Sequence, residues 1–273
     1  MESYLIDTHC HLDFPDFDED REEVIEKARK GGIGKIINIG CNLERAKKSL
    51  EIAQKHDFIF VAIGLHPQEA DLGDDKFFEE IEKLLKEPKV VAIGECGLEI
   101  QRQNSTPTLR HCVGGRGPDR SVGKKQKEMF LRQLGLAQKF NKPIIIHCRN
   151  AYPEILEILK KEKEKNSGLR GVVHFFSGRL SQAEELFKLG FLISFTGVIT
   201  FARDYDKVIK SVPLEKIMVE TDAPFVAPEP FRGKRNEPLY VKYVAQKIAE
   251  LKEISFEELA QITTENAEKL FGI

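Results

Sequence analysis

Eight short, β-branched runs recur along this 273-residue chain, each followed by a longer charged segment with helical spacing. They are YLID (4–7), KIINIG (35–40), FIFVAIG (58–64), VVAIG (90–94), PIIIH (143–147), GVVHF (171–175), FLISF (191–195) and KIMVE (216–220). Strands alternating with amphipathic helices are the pattern of repeated βα units, because parallel strands need a long crossover between them. Eight such units in a chain of about 250 residues suit one closed barrel. The expected fold is α/β, a (β/α)8 TIM-type barrel, with residues 1–273 as a single domain and no linker or low-complexity break inside it.

The intervening segments read as helices. DREEVIEKARKGG (20–32) places acids early, bases late and glycines at its end, which suits the helix dipole and a C-terminal stop. LERAKKSLEIAQKH, FFEEIEKLLKE, KKQKEMFLRQLGLAQKF, YPEILEILKKEKEK, SQAEELFKLG and YVKYVAQKIAELKE repeat the theme. The tail, SFEELAQITTENAEKLFG, reads as one or two helices, with Ser255 and Thr263 or Thr264 as N-caps. Residues 101–123 stand apart: four arginines, no lysine, no glutamate and no clear period mark a long loop, 100–125, after the fourth strand.

In such a barrel the site lies where the strands end and the βα loops converge. His9 and His11 follow the first run, His66 the third and Glu95 the fourth; His147 and Arg149 end the fifth, His174 the sixth and Asp222 the eighth. Five of the seven histidines sit at such ends, His56 and His111 being the exceptions. Alternation along a strand turns His9 and His11 the same way, and places Glu95 on a face with Val91 and Ile93, His147 with Ile145, and His174 with Val172.

One histidine at a strand end is ordinarily a hydrogen-bonded structural residue, so it is the convergence that matters. His9, His11, His147 and His174 with Glu95 and Asp222 form a ligand set for two divalent cations, and a carboxylate such as Glu95 can bridge them. Zn, Mg and Mn share these donors and are not distinguished. Cys10, Cys96 and Cys148 adjoin ligands but face the other way, as small buried fillers. His66 reads as a substrate donor, a partner behind the ligands or a structural residue. Arg149 can hold a phosphate bidentately or pair with a nearby acid. Arg232, Lys234 and Arg235 bunch in PFRGKRNEP (230–238), either as solvated surface or facing phosphate. The substrate-binding candidates are therefore His66, Arg149 and Arg235.

A net charge of -2 gives no global attraction to a polyanion. No run approaches the roughly 20 apolar residues of a membrane helix, and no secretory leader is expected. Five cysteines without a CxxC pair make a disulfide framework unexpected. The expected location is the cytoplasm, with no membrane association and no obligate protein partner.

DTHCHLD, GLHP, GECGLE, PIIIHCR, HFFSG, ISFTGVITF, ETDAPFVAP and RGKRNEP follow one another as in the TatD-like metal-dependent deoxyribonucleases of the amidohydrolase superfamily, which this chain resembles over essentially its whole length. The resemblance implies a two-metal barrel: His9, His11, Glu95 and Asp222 on one cation, Glu95, His147 and His174 on the other. It also implies hydrolysis of DNA phosphodiesters, at single strands or ends, by a two-metal activated water whose proton Asp222 accepts. Other hydrolyses, of a small amide, ester or lactone, use the same chemistry, and a noncatalytic metal-binding or scaffolding protein is the remaining alternative. Two departures stand out. Glu99 replaces the family's usual Asp and opens a longer loop without the usual aromatics, and Asn150 stands where Asp is commoner. Segment 101–123 then reads as an insertion that reshapes substrate access, a neutral surface excursion or a frame-altered stretch.

Overall fold

Each strand-forming run is followed by enough chain to cross back over the sheet, and parallel pairing in sequence order is the outcome. The computed structural model describes residues 4–100 and 123–273. The strands are β1 (Leu5–Cys10), β2 (Ile33–Gly40), β3 (Ile59–Ile63), β4 (Val90–Glu99), β5 (Ile144–Arg149), β6 (Gly171–Val173), β7 (Phe191–Phe195) and β8 (Ile217–Val219). The last strand returns to the first through a Cys10–Ala223 bridge. There Asp222 N donates to His9 O at 2.8 Å and His11 N to Ala223 O at 2.7 Å. β1 and β4 outrun the expected 4–7 and 90–94. Their polar and glycine ends carry no apolar signal, but a neighbouring strand pairs them: Gly97, Leu98 and Glu99 lie opposite His147, Cys148 and Arg149.

The helices are α1 (Arg21–Lys30), α2 (Leu43–Lys55), α3 (Asp75–Leu84), α4 (Lys124–Lys139), α5 (Tyr152–Lys165), α6 (Leu180–Lys188), α7 (Asp206–Ser211), α8 (Val241–Lys252) and α9 (Phe256–Phe271). The side chains of Asn42, Asp74 and Ser255 accept from Arg45, Phe77 and Glu258 backbone N–H groups and so cap α2, α3 and α9. The tail is one helix, so Thr263 and Thr264 are not caps. Both are buried within α9, where Thr263 Oγ1 donates back to Leu259 O and Thr264 Oγ1 to Tyr4 O. The short α7 had no apolar period long enough to announce it. No helix among the described residues is long and apolar enough to cross a membrane. The expected long loop, 100–125, falls outside the described residues apart from its edges.

Two apolar layers hold the fold. The larger lies between strands and helices and takes in Cys10, Cys96 and Cys148. The smaller fills the barrel with Ile6, Ile37, Ile39, Ala62, Ile145, Val172 and Met218, and Ala267, Leu270 and Phe271 of α9 cover its amino-terminal end. With that end closed, access to the interior is from the carboxyl ends of the strands. Ile145 and Val172 lie inside, as the alternation of β5 and β6 required.

In β4 that alternation fails. Val91 belongs to the inner layer but Ile93 to the outer, so Glu95 does not share a face with both. Val91 and Ile93 part because β4 advances from Val90 to Ala92 against Val61 to Ala62 on β3, and a bulge beyond them re-aims Glu95: β4 advances from Ile93 to Cys96 while β5 advances from Ile144 to Ile146. A second bulge takes β1 from Asp7 to Cys10 against Ile36 to Asn38 on β2. An extra residue unpaired in the ladder re-aims a side chain. His9 and Glu95 lie within these two bulges.

Candidate metal centre

Glu95 stands at the middle of the site, nearly fully buried. Its Oε2 is 3.4 Å from His9 Nε2. Its Oε1 is 2.6 Å from His174 Nε2, 2.7 Å from His147 Nδ1 and 3.6 Å from His66 Nε2. Asp222 Oδ1 lies 3.4 Å from His11 Nε2 and 3.6 Å from His9 Nε2. The His9 and His174 rings stack with centroids 4.0 Å apart. Close approach of β4 to β5 brings Glu95 and His147 together, and Gly97 permits it: a Cβ there would fall 2.0 Å from His147 O, at a φ of +150°.

Surrounding groups decide which ring nitrogen faces the centre. His11 Nδ1 is 3.2 Å from Ile39 O, which can only accept, so Nδ1 carries a hydrogen and Nε2 is the nitrogen turned toward Asp222. His66 is the reverse. Its Nδ1 accepts from Gln68 N at 3.2 Å, so Nε2 carries the hydrogen and points at the site as a donor. His147 turns Nδ1 inward and Nε2 toward Glu99 Oε2, 3.4 Å away. Glu99 in turn accepts from Gln68 Nε2 at 2.8 Å and faces Arg149 Nη1 at 3.4 Å. The loops carrying these groups are pinned from outside: Gln133 bonds both N and O of Leu65, and Tyr152 Oη accepts from Ser177 N.

Burial opposes charge on Glu95, yet His174, His66 and His147 around it hold its carboxyl well below the usual carboxylate range. Asp222 is likewise lowered against its burial, by His11 and His9. Burial depresses His9, and His66 to about 4. It pushes Cys10, Cys41 and Cys96 far above the thiol range and Cys148 up to about 12, so none supplies a thiolate nucleophile. Beneath these side chains, Asp7 accepts from Thr221 N at 2.9 Å and Thr221 Oγ1 at 2.6 Å, and latches β1 to the chain leaving β8. Burial raises its carboxyl to about 8.

The donor set fits divalent cations. Both ring nitrogens of His9, Nε2 of His147 and Nδ1 of His174 are buried without a hydrogen-bond partner, which is costly unless something else occupies their lone pairs or receives their hydrogens. Donor atoms of His9, His11 and Glu95 lie within 4.8 Å of one another, as do those of His66, Glu95 and His147. The hydrogen on His66 Nε2 makes that residue a donor rather than a ligand.

All six residues expected as ligands therefore converge. His66 adjoins them, and Arg149 sits exposed at the rim against Glu99. Arg235 does not meet the expectation of a substrate contact. Its Nη1 and Nη2 fork onto Asp20 Oδ1 and Oδ2 at 2.7 and 2.6 Å, and Nη1 also donates to Asp16 O. A carboxylate that matches the guanidinium fork has claimed it. Arg235→Ala should lower stability by about 1–2 kcal/mol in chemical denaturation with KM unchanged; a raised KM at full stability would restore the substrate role. Its neighbour Asn236 is also structural, donating through Nδ2 to Thr221 O and Phe225 O. Glu220 was overlooked in the sequence. It is buried beside His174, and its only signal was its place two residues before Asp222 at the end of an apolar run.

Comparison with known proteins agrees with this geometry. The family model described as TatD related DNase matches residues 6–272. The uncharacterized metal-dependent hydrolase YabD of Bacillus subtilis (strain 168) is 43% identical over 98% of this chain and 99% of its own. YcfH of Escherichia coli (strain K12), also an uncharacterized metal-dependent hydrolase, is 34% identical over 99% of this chain and 96% of its own. The crystal structure of YjjV, a TatD homologue from Escherichia coli K12, matches with a TM-score of 0.87 at 32% identity, covering 100% of both chains. The chain belongs to the TatD family of metal-dependent hydrolases.

Proposed function

We propose that the whole chain, 1–273, works as one catalytic barrel: a two-metal deoxyribonuclease that cleaves phosphodiester bonds in single strands or at DNA ends. The observation that carries this reading is the split of Glu95, one oxygen toward His9 and the other toward His147 and His174. Placed so, Glu95 would offer an oxygen to each of two cations. His9, His11, Glu95 and Asp222 would hold one, and Glu95, His147 and His174 the other. When bound, such a pair acidifies water and neutralises charge on phosphoryl oxygens.

The chain's own groups do the rest. Asp222, kept ionised by His11 and His9, accepts the proton of the attacking water. His66 donates a hydrogen bond from Nε2 to a substrate oxygen. Arg149 at the rim takes a neighbouring phosphate. The first turn of α4 bears Lys124, Lys125 and Lys127 and no acid. Cations there oppose the helix dipole, so they suit an anionic strand crossing the rim. Five of the six proposed ligands are buried and His147 is partly so, and a recessed site admits a single strand or an end more readily than the side of a duplex. Buried free thiols at Cys10, Cys41, Cys96 and Cys148 suit a reducing compartment such as the cytoplasm.

Hydrolysis of labelled single-stranded and duplex DNA, beside a panel of small esters, amides and lactones, tests the proposal with Mg, Mn or Zn and after chelation. Cleavage of single-stranded DNA that chelation abolishes and added cation restores is the expected result. Turnover of the small substrates with DNA untouched would make the enzyme a small-molecule hydrolase. Tight cation binding without any turnover would leave a noncatalytic metal protein.

A further inference from the structure

Glu220 is a carboxylate buried to 1% exposure at the carboxyl end of β8, outside the proposed ligand set. Its Oε1 accepts from Phe175 N at 2.7 Å and its Oε2 from Ser194 Oγ at 2.6 Å, so its plane is held by the loop after β6 and by β7. Its own N–H donates to Phe195 O. Among the described residues no lysine or arginine pairs with it. A buried carboxylate without a cationic partner is costly, and His174 faces it, with Nδ1 3.5 Å from Glu220 Oε1. His9 lies on the same side: donor atoms of His9, His174 and Glu220 fall within 4.8 Å of one another.

His174 turns Nε2 to Glu95 and the centre, and leaves Nδ1 buried without a hydrogen-bond partner. An imidazole that offers one nitrogen's lone pair to a cation must carry its hydrogen on the other, and a buried N–H needs an acceptor. Oε1 of Glu220 is placed to be that acceptor. We propose that Glu220 is the positioning residue of the metal centre, receiving the Nδ1 hydrogen of His174 and so presenting Nε2 toward Glu95. The inference rests on the reading of His174 as a ligand. Through the His9–His174 stack it also restrains His9. Ser194 acts one step further out, by fixing the carboxylate.

Zn2+ affinity, measured by competition with a chromophoric chelator, tests this on the full-length protein with Glu220→Gln, Ser194→Ala and His174→Ala. Glu220→Gln should bind as many Zn2+ ions as the unaltered protein but about 10–100-fold more weakly, and Ser194→Ala should lose less. In the Zn2+-loaded protein, nitrogen-15 NMR should show His174 protonated at Nδ1 with a strongly downfield proton, displaced in Glu220→Gln. A merely structural carboxylate would leave that resonance in place. Unchanged affinity in Glu220→Gln with weakened binding in His174→Ala overturns the inference and leaves the ligand reading intact. Unchanged binding in His174→Ala overturns both. Loss of one whole Zn2+ equivalent in Glu220→Gln would make Glu220 a ligand and overturn the positioning role. Should Glu220→Gln fail to fold by circular dichroism, Ser194→Ala and the NMR of the unaltered protein decide, and His174 protonated at Nε2 overturns the proposal.

Discussion

Glu95→Gln should cost more than about 10³-fold in metal-dependent turnover, beyond the ~10–100-fold typical of residues that act from behind a ligand. Glutamine keeps the shape and leaves one carbonyl oxygen, but its NH2 group donates and cannot coordinate. Whichever way the amide turns, it presents NH2 either to His9 or to His147 and His174, which face opposite oxygens of the native carboxylate. Metal analysis should therefore show fewer cations per chain. The variant should still fold, because glutamine keeps the volume and its amide can hydrogen-bond the neutral imidazoles around it, which circular dichroism checks. Full turnover with an unchanged cation count would end the bridging assignment.

Asp222→Asn should lower kcat by about 10²–10⁴-fold, the range of a lost general base, with a much smaller change in KM. Asparagine is the right substitution because Asp222 has φ 59°, in the left-handed region that Asn and Asp tolerate better than other side chains. The backbone bond from Asp222 N to His9 O, which helps close the barrel, should survive. So should a cation held by Glu95, His147 and His174, which metal analysis can count. Both cations retained with kcat lost would separate proton transfer from metal binding, whereas loss of the cation on His9, His11 and Glu95 would trace the fall in kcat to coordination. An Asn variant that turns over DNA at the native rate would remove Asp222 from the chemistry.

Much of this site was legible because its donors stand where apolar runs end. His147 and His174 follow strands whose alternation is regular, and Ile145 and Val172 lie inside as that alternation requires. Glu95 was identified for a partly mistaken reason. A bulge between Ile93 and Cys96, invisible in the local pattern, turns it inward. Arg235 misled for a related cause. Its charge was plain, but Asp20, which claims it, lies 215 residues away in the chain. Glu220 was hidden because a carboxylate beside a named acid gives no sign of facing an imidazole from another strand.

By itself the sequence determined the number of strands, the barrel and the chemical kinds of donor at its mouth. Those follow from periodicity and residue type, which are local properties of the chain. Only the tertiary structure decided which oxygen of Glu95 meets which imidazole, which nitrogen of His66 keeps its hydrogen, and that Arg235 ties a loop. Each of these is a pairing between groups distant in sequence, fixed to within an ångström by bulges and buried hydrogen bonds that no local pattern encodes.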